Sequence, residues 1–235
     1  PHGIIWSLNG MAVLADGVYL ETTLSWPGGL NADQVQVYPD AIHLTDADGQ
    51  ETAAWQTGDL APLVPAAQLS MPLNMQTGVL NNPGTARLSL DYLAVSRFVH
   101  TSFRFDVGSE PQPGQVWPIN QELVLDGHHL RAISAQYVDA PSSAPAMMML
   151  DFESDSGIMA VLASDPEHDI LDTGGAPASK GGTIQAGWHY RGAFPQGTIT
   201  VTINMITERL NGPWTVEWTP PTTVVKPEPM LPTAL

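Results

Sequence analysis

Residues 84–93 read GTARLSLDYL, and residues 197–206 read GTITVTINMI. The two stretches align without a gap, with Gly84 on Gly197, and both alternate apolar side chains with small or polar ones. Such a period of two is typical of a β-strand that buries one face. The register continues downstream, where Phe103 falls on Val216. Each copy is therefore predicted to end in a long strand, a short break and a second alternating strand.

The same repeat can be followed to the beginning of each copy. Asp16-Gly17 with Leu20 matches Asp126-Gly127 with Leu130 at nearly the same offset. A repeat of about 110 residues has the length of one β-sandwich of the immunoglobulin class, whereas solenoid repeats and propeller blades are much shorter. The sequence therefore predicts an all-β chain of two tandem immunoglobulin-like β-sandwich domains.

A short proline-spaced segment separates the two copies. Residues 109–114 read SEPQPG, a composition typical of a stiff linker. We therefore predict one sandwich over residues 1–109 and a second over residues 115–220. Residues 221–235 contain four further prolines and are predicted to form an extended C-terminal tail. By itself the tail is expected to be disordered, and the alternatives are that it lies along a sheet edge or engages a neighbouring subunit.

Strand and turn signals agree with an all-β fold. Between residues 18 and 26 the apolar side chains share one face, and these are Val18, Leu20, Leu24 and Trp26. Glycine following Asp or Ser between strand-like runs supplies the positive φ angle that a tight hairpin needs. Four hairpins are predicted on this basis, at Asp16-Gly17, Asp48-Gly49, Asp126-Gly127 and Ser156-Gly157.

The charge balance excludes some partners. The chain has 24 acidic residues against 8 Lys and Arg, a formal net charge of −16, and its first cation is Arg87. Nucleic acids and anionic lipids attract clustered cations, so neither is an expected partner. A protein partner or self-association is expected instead.

Composition also favours an extracytoplasmic location, which means the cell surface, the periplasm or secretion. Only 14% of residues are charged, so the surface must use uncharged polar side chains, as is common in secreted proteins. The longest apolar runs, 146–150 and 158–162, are too short to span a membrane. The chain begins at Pro1 without an initiator Met, and we expect that a leader or membrane anchor has been removed.

One short motif has the form of a catalytic site. Asp172-Thr173-Gly174 follows two aliphatic residues, as in aspartic proteases, where two carboxylates share a proton. Asp155-Ser156-Gly157 is a looser match, but both motifs lie in the second copy, whereas a two-lobed enzyme needs one motif in each lobe. A dimeric enzyme with one motif in each subunit is the alternative. A turn between strands is the favoured interpretation. With no nucleophile elbow and no phosphate-loop lysine, the chain is predicted not to be an enzyme.

Two metal hypotheses are open. Asp46, Asp48 and Glu51 resemble part of a calcium loop, although Leu44 stands where an EF-hand needs an acid. A hairpin turn is favoured there, with calcium as the alternative. The run Met147-Met148-Met149, with Met159 and Met205 elsewhere, suggests a soft copper site. The simpler interpretation makes Met147 and Met149 core residues and Met148 their neighbour. The seven histidines show no zinc-ligand spacing and are predicted to lie at the surface.

Aromatic residues near the C-terminus suggest a carbohydrate platform or a core. Trp214 and Trp218 alternate with Val216, and Trp188 alternates with Tyr190. Aromatic side chains that share one face of a strand are more often buried than ligand-binding. The core is therefore the favoured interpretation.

The threonine-rich strand that begins at Gly197 is followed by Gly212-Pro213-Trp214-Thr215-Val216-Glu217-Trp218. This pattern resembles the extracellular β-sandwich domains of bacterial anti-sigma-factor-like membrane proteins. The resemblance covers the last strands of each repeat and includes no catalytic motif. It implies a bacterial envelope protein whose outer portion senses, binds or builds something. We therefore expect a non-enzymatic binding, sensory or structural module of an envelope protein or extracellular assembly, with a metal-binding accessory protein as the alternative and an Asp172 hydrolase third.

Overall fold

Alternating apolar residues, punctuated by glycine and proline, form strands throughout the described part of the chain. The structure is a computed structural model, and it describes residues 2–13, 17–27, 29–53, 55–56, 68–76, 84–138, 144–154, 157–176 and 183–219. In these ranges the regular elements are strands, apart from one 3-10 turn at Pro39–Ala41. The predicted all-β fold is confirmed. None of the described residues belongs to a helix long and apolar enough to cross a membrane.

The chain divides into two compact units. The first unit comprises Pro1–Ala94 and Leu210–Leu235, and the second comprises Val95–Arg209. The strands up to residue 106 are β1 (Ile5–Val13), β2 (Gly17–Ser25), β3 (Gln34–Gln36), β4 (Ile42–Thr45), β5 (Glu51–Ala53), β6 (Trp55–Gln56), β7 (Gln68–Gln76) and β8 (Ala86–Asp106). The later strands are β9 (Val116–Leu125), β10 (His128–Val138), β11 (Met147–Ser154), β12 (Ile158–Ser164), β13 (Ile170–Ala176), β14 (Thr183–Tyr190) and β15 (Thr198–Trp218).

In the first unit, β1, β2, β7 and β6 form an antiparallel sheet in that order. Strand β4 pairs with β5 and with the beginning of β8, and β3 also pairs with β8. The alternation predicted for residues 18–26 is confirmed. Val18, Leu20, Leu24 and Trp26 are all buried, and Thr22 is buried with them.

In the second unit, the sheet order is β13-β14-β11-β10-β9. Strand β12 pairs with β15 outside that sheet. Leu150 and Phe152 of β11 share one buried core with Val161 of β12 and Val201 of β15. Side chains from two sheets therefore meet in a common apolar layer, which is the arrangement of a β-sandwich.

Two local predictions are wrong. The predicted break between the final strands of each copy is absent, since β8 and β15 are each continuous over 21 residues. Ser96 and Thr207 lie in the middle of these strands, where the breaks were expected. Both are buried, and their hydroxyl groups form a hydrogen bond of 2.9 Å with each other. The predicted hairpin at Ser156-Gly157 also fails. Strand β11 pairs with β10 and β14, whereas β12 pairs with β15, so the connection joins different sheets.

Other hairpins are confirmed. Strands β4 and β5 are antiparallel around Asp48-Gly49, and β9 and β10 are antiparallel around Asp126-Gly127. Asp126 and Gly127 have φ angles of 50° and 89°, as a two-residue hairpin turn requires. Strands β1 and β2 pair as expected, while residues 14–16 of their turn lie outside the described residues.

The compact units do not coincide with the predicted segments 1–109 and 115–220. They divide within β8, after Ala94, and within β15, after Arg209. The reason is the continuity of these strands: Phe103 and Val107, which lie in the first predicted segment, are part of the core of the second unit. The number of tandem immunoglobulin-like domains remains a prediction, and the tail at 221–235 lies outside the described residues.

Candidate functional site

An open pocket of about 530 Å³ lies in the second unit at the end of β10. Its walls combine two aromatic rings, three prolines and one carboxylate, that of Glu110. We call it the aromatic pocket, and its aromatic and proline residues are Tyr137, Phe194, Pro111, Pro113 and Pro145. Gln112 and Gln196 also line the pocket, so polar groups lie beside the rings and prolines.

Backbone hydrogen bonds fix the proline-spaced linker against β10. The amide of Gly114 donates to the carbonyl of Tyr137 at 2.7 Å, and the amide of Tyr137 donates to the carbonyl of Gln115 at 3.0 Å. The amide of Gln115 in turn donates to the carbonyl of Gln112 at 3.0 Å. Pro111 and Pro113 have no amide hydrogen to satisfy, so they can form the pocket wall without leaving donors unpaired.

Stacked aromatic rings form the base of the pocket. The rings of Tyr137 and Phe194 lie with centroids 3.9 Å apart and an interplanar angle of 13°. Trp117 stacks near Phe194 at 6.0 Å, and Tyr190 meets Phe194 edge-on at 5.4 Å. Such contacts hold the rings in place. Phe194 is itself buried in the core of the second unit, so Tyr137, which is only partly buried, carries the exposed part of this stacked pair.

A second depression, of about 350 Å³, lies on the sheet of the second unit. We call it the methionine cleft, and its main side chains are those of Met147, Met149, Asp172, Gln185 and His189. They come from three adjacent strands, β11, β14 and β13, and two glycines complete the floor.

Residues Met147 to Met149 do not face the way that the core interpretation predicts. Met148 is fully buried in the core, whereas Met147 and Met149 are only partly buried and line the cleft. The prediction of two core positions at Met147 and Met149 is therefore wrong. Register is the cause: in a strand with a period of two, burying Met148 beside Leu150 places both neighbours on the other face.

Gly187 brings β11 and β14 close together beneath the cleft. A β-carbon at this residue would lie 2.7 Å from the carbonyl oxygen of Met148 and 3.2 Å from the terminal methyl of Met147. The terminal methyl of Met147 therefore lies over Gly187, in space that a larger residue at this position would need.

Asp172 is paired with a histidine. The Nδ1 atom of His189 lies 2.7 Å from Oδ1 of Asp172, and these residues are Cα partners in the β13–β14 ladder. Asp172 lies within β13 rather than in the predicted turn, and Asp155 and Ser156 of the looser motif match lie outside the described residues. Among the described residues, the hydrogen-bond partner of the Asp172 carboxylate is thus the imidazole of His189. A hydrolase that uses Asp172 remains a prediction.

The acidic loop uses its carboxylates in local contacts. Oδ1 of Asp46 accepts hydrogen bonds from the amides of Asp48 and Gln50, at 2.9 and 2.8 Å. The carboxylate of Glu51 contacts Nδ1 of His43 across the hairpin. Asp46 thus organises the turn. No group of three or more His, Asp or Glu side chains suited to a metal ion occurs among the described residues.

A buried carboxylate stabilises the loop after β12. Asp165 is fully buried, and its Oδ1 accepts the amide of Glu167 at 3.0 Å. Its Oδ2 lies 2.7 Å from Nδ1 of His168 and accepts the Tyr190 hydroxyl at 3.2 Å. Burial raises the pKa of Tyr190 well above its usual range, and the nearby negative charge of Asp165 acts in the same direction. Tyr190 therefore remains a neutral donor at ordinary pH.

The aromatic residues considered for a carbohydrate platform lie mostly in the core. Trp188 and Tyr190 are buried, as is Trp214. The favoured interpretation as core residues is confirmed for these three side chains. The rings that line the aromatic pocket are instead Tyr137 and Phe194, which the sequence does not single out because they are distant along the chain and meet only after folding.

No protein-family model matches the sequence, no curated protein matches it, and no solved structure matches the fold.

Proposed function

We propose that the protein is a non-enzymatic, extracytoplasmic binding or structural module of a bacterial envelope protein or extracellular assembly. Its working part is the aromatic pocket, which receives a proline-containing segment in an extended conformation. The observation that carries this proposal is the partly exposed ring of Tyr137, which is held against buried Phe194 and lies beside Pro111 and Pro113 in the pocket wall. The resemblance to the outer domains of anti-sigma-factor-like proteins supports the location, as does the low content of charged residues.

The favoured occupant is the tail of a second copy of the chain. Residues 220–235 include five prolines, and a segment of this length in polyproline conformation extends over roughly 50 Å. The tail also carries Lys226, one of only 8 cations in the chain, while the pocket carries Glu110. A docked tail would thus pair prolines with aromatic rings and a lysine with a carboxylate. Repetition of this contact from copy to copy would build an assembly.

Self-association of the full chain tests the proposal. Ala193 is exposed in the pocket wall, so Ala193→Arg introduces a bulky positive charge there, opposed to Lys226 of the tail, without changing the core. Thr215→Arg, at an exposed position of β15, is the matched control. We expect concentration-dependent assembly of the native chain and the control by size-exclusion chromatography, and loss of assembly in Ala193→Arg.

A synthetic peptide of residues 220–235 identifies the occupant. The peptide should compete with assembly and perturb the fluorescence of Trp117, which stacks near Phe194. A native chain that stays monomeric at every concentration and also ignores the peptide would overturn the proposal. A monomeric chain that binds the peptide would show that the pocket accepts this segment but would exclude assembly by this route.

A further inference from the structure

We infer that the methionine cleft binds one soft monovalent metal ion, Cu(I), through the sulfur atoms of Met147 and Met149 and the Nε2 atom of His189. The inference is independent of the aromatic pocket and of its occupant. It rests on strand register, on the hydrogen bond to His189 and on the chemistry of the ligand set.

Register brings the three ligands to one place. Met147 and His189 are directly opposite each other in the β11–β14 ladder, and Met149 is opposite Gly187. Directly opposed side chains begin about 5 Å apart, and Met149 begins about 7 Å along the strand from Met147. Methionine side chains have three rotatable bonds, so two thioethers and an imidazole at these spacings can converge on one ion. A β-carbon at Gly174 would meet no atom within 4 Å, so the cleft is open on the side of β13.

Asp172 fixes the imidazole in the form that a metal needs. An ionised carboxylate can only accept, so the hydrogen bond of 2.7 Å places the proton of neutral His189 on Nδ1. The lone pair is then on Nε2, the free end of the ring. Metal-binding histidines are commonly oriented by a carboxylate in this way. Asp172 is therefore a positioning residue, and its charge also balances a monovalent cation.

The ligand set selects a soft ion. Thioether sulfur favours Cu(I), whereas calcium and magnesium require several oxygen ligands. The cleft offers two thioethers and one imidazole, and its single carboxylate is engaged with His189. The side chain of His189 is 33% exposed and Asp172 is exposed, so an ion can enter from solvent.

Titration of the full-length chain with Ag(I), an air-stable analogue of Cu(I), provides the test. We expect one equivalent to bind, with a Cu(I) titration under anaerobic conditions giving the same stoichiometry. The double variant Met147→Leu/Met149→Leu keeps side-chain volume and should lower the affinity at least tenfold. The matched control, Met159→Leu/Met205→Leu, changes two methionines outside the cleft and should bind like the native chain.

NMR spectroscopy of the native chain tests the same site without any substitution, so the result does not depend on whether a variant folds. With ¹³C-methyl methionine, the signals of Met147 and Met149 should shift on Ag(I) addition, and those of the other methionines, out of 9 in the chain, should not. Asp172→Asn should weaken binding by about 10- to 100-fold while leaving the stoichiometry unchanged. The absence of saturable binding would overturn the inference. So would equal affinity in the Met147→Leu/Met149→Leu variant, or shifts spread over all methionines.

Discussion

The sheet of the first unit and that of the second unit follow the same plan with one difference. In the first, β2 pairs directly with β7, in the order β1-β2-β7-β6. In the second, β11 stands between β10 and β14, in the order β9-β10-β11-β14-β13. Both candidate sites lie beside this additional strand. Both depressions therefore lie where the second unit departs from the strand order of the first.

The sequence of the two units accounts for this difference. Strands β3 and β11 begin at Gln34 and Met147, which are equivalent positions in the repeat that aligns Gly84 with Gly197. Strand β3 is only three residues long, and Pro39 begins a 3-10 turn shortly after it. Proline cannot donate to a strand ladder, so a longer central strand is disfavoured at this point. Strand β11 has no proline and continues over eight residues.

The largest expected effect comes from removing the core side chain that the additional strand contributes. Phe152 is fully buried, and Phe152→Ala should lower the free energy of unfolding by about 3–5 kcal/mol because a cavity remains. Urea denaturation measures this loss. Phe98→Ala removes the same group from a side chain that is 51% exposed and should cost less than half as much. Equal costs would show that β11 is not part of the core.

A tyrosine in each unit allows a second comparison. The Tyr190 hydroxyl donates to fully buried Asp165, whereas the Tyr92 hydroxyl donates to Asp40, an exposed residue, at 2.8 Å. Tyr190→Phe should therefore cost about 1.5–3 kcal/mol at pH 7, and Tyr92→Phe about 0.5–1.5 kcal/mol. Urea denaturation measures both costs. A larger loss of stability in Tyr92→Phe than in Tyr190→Phe would contradict the difference in burial between the two hydrogen bonds.

The same tyrosine gives a pH dependence. Because the pKa of Tyr190 is raised on folding, its stabilising contribution is complete below the ordinary pKa of 10.0 and is lost as the pH rises above it. The native chain should thus lose stability more steeply above pH 10 than Tyr190→Phe does. Melting temperatures at pH 8 and pH 11 test this, and parallel losses in the two proteins would exclude it.

A smaller effect is expected at the contact between β11 and β14. Gly187→Ala places a β-carbon 2.7 Å from the Met148 carbonyl oxygen, so the strands must separate slightly, at a cost of about 1–3 kcal/mol. Gly174→Ala, on the adjacent strand β13, meets no atom within 4 Å and should change stability by less than about 0.5 kcal/mol. A neutral Gly187→Ala would mean that β11 and β14 are not packed in this way.

The smallest effect concerns the acidic loop of the first unit. Asp46→Ala removes the acceptor of two amide hydrogen bonds and should cost about 0.5–1.5 kcal/mol. Thermal unfolding with and without calcium checks both the value and the role of the loop. A melting shift of the native chain on calcium addition, abolished in this variant, would favour the calcium interpretation over a turn.

Much of the strand pattern could be predicted because it depends on local sequence. The burial of Val18, Leu20 and Leu24 follows from alternation alone. The partners of β11 could not be predicted, because pairing with β14 joins residues that are far apart in sequence. The alternation of Gln185, Gly187 and His189 was a usable signal, since it places them on one face of a strand. It did not indicate which strand would lie opposite.

The position of β11 beside β14 is the basis of this account, and a cysteine cross-link measures it directly. The chain contains no cysteine, and Asp151 and Gln185 are Cα partners whose side chains are hydrogen-bonded at 3.0 Å. Asp151→Cys/Gln185→Cys should form an intrachain disulfide on mild oxidation, because opposed strand residues have suitable spacing. Asp151→Cys/Asp172→Cys, with β14 between the two strands, should retain free thiols. A disulfide in the second pair and none in the first would contradict the strand order.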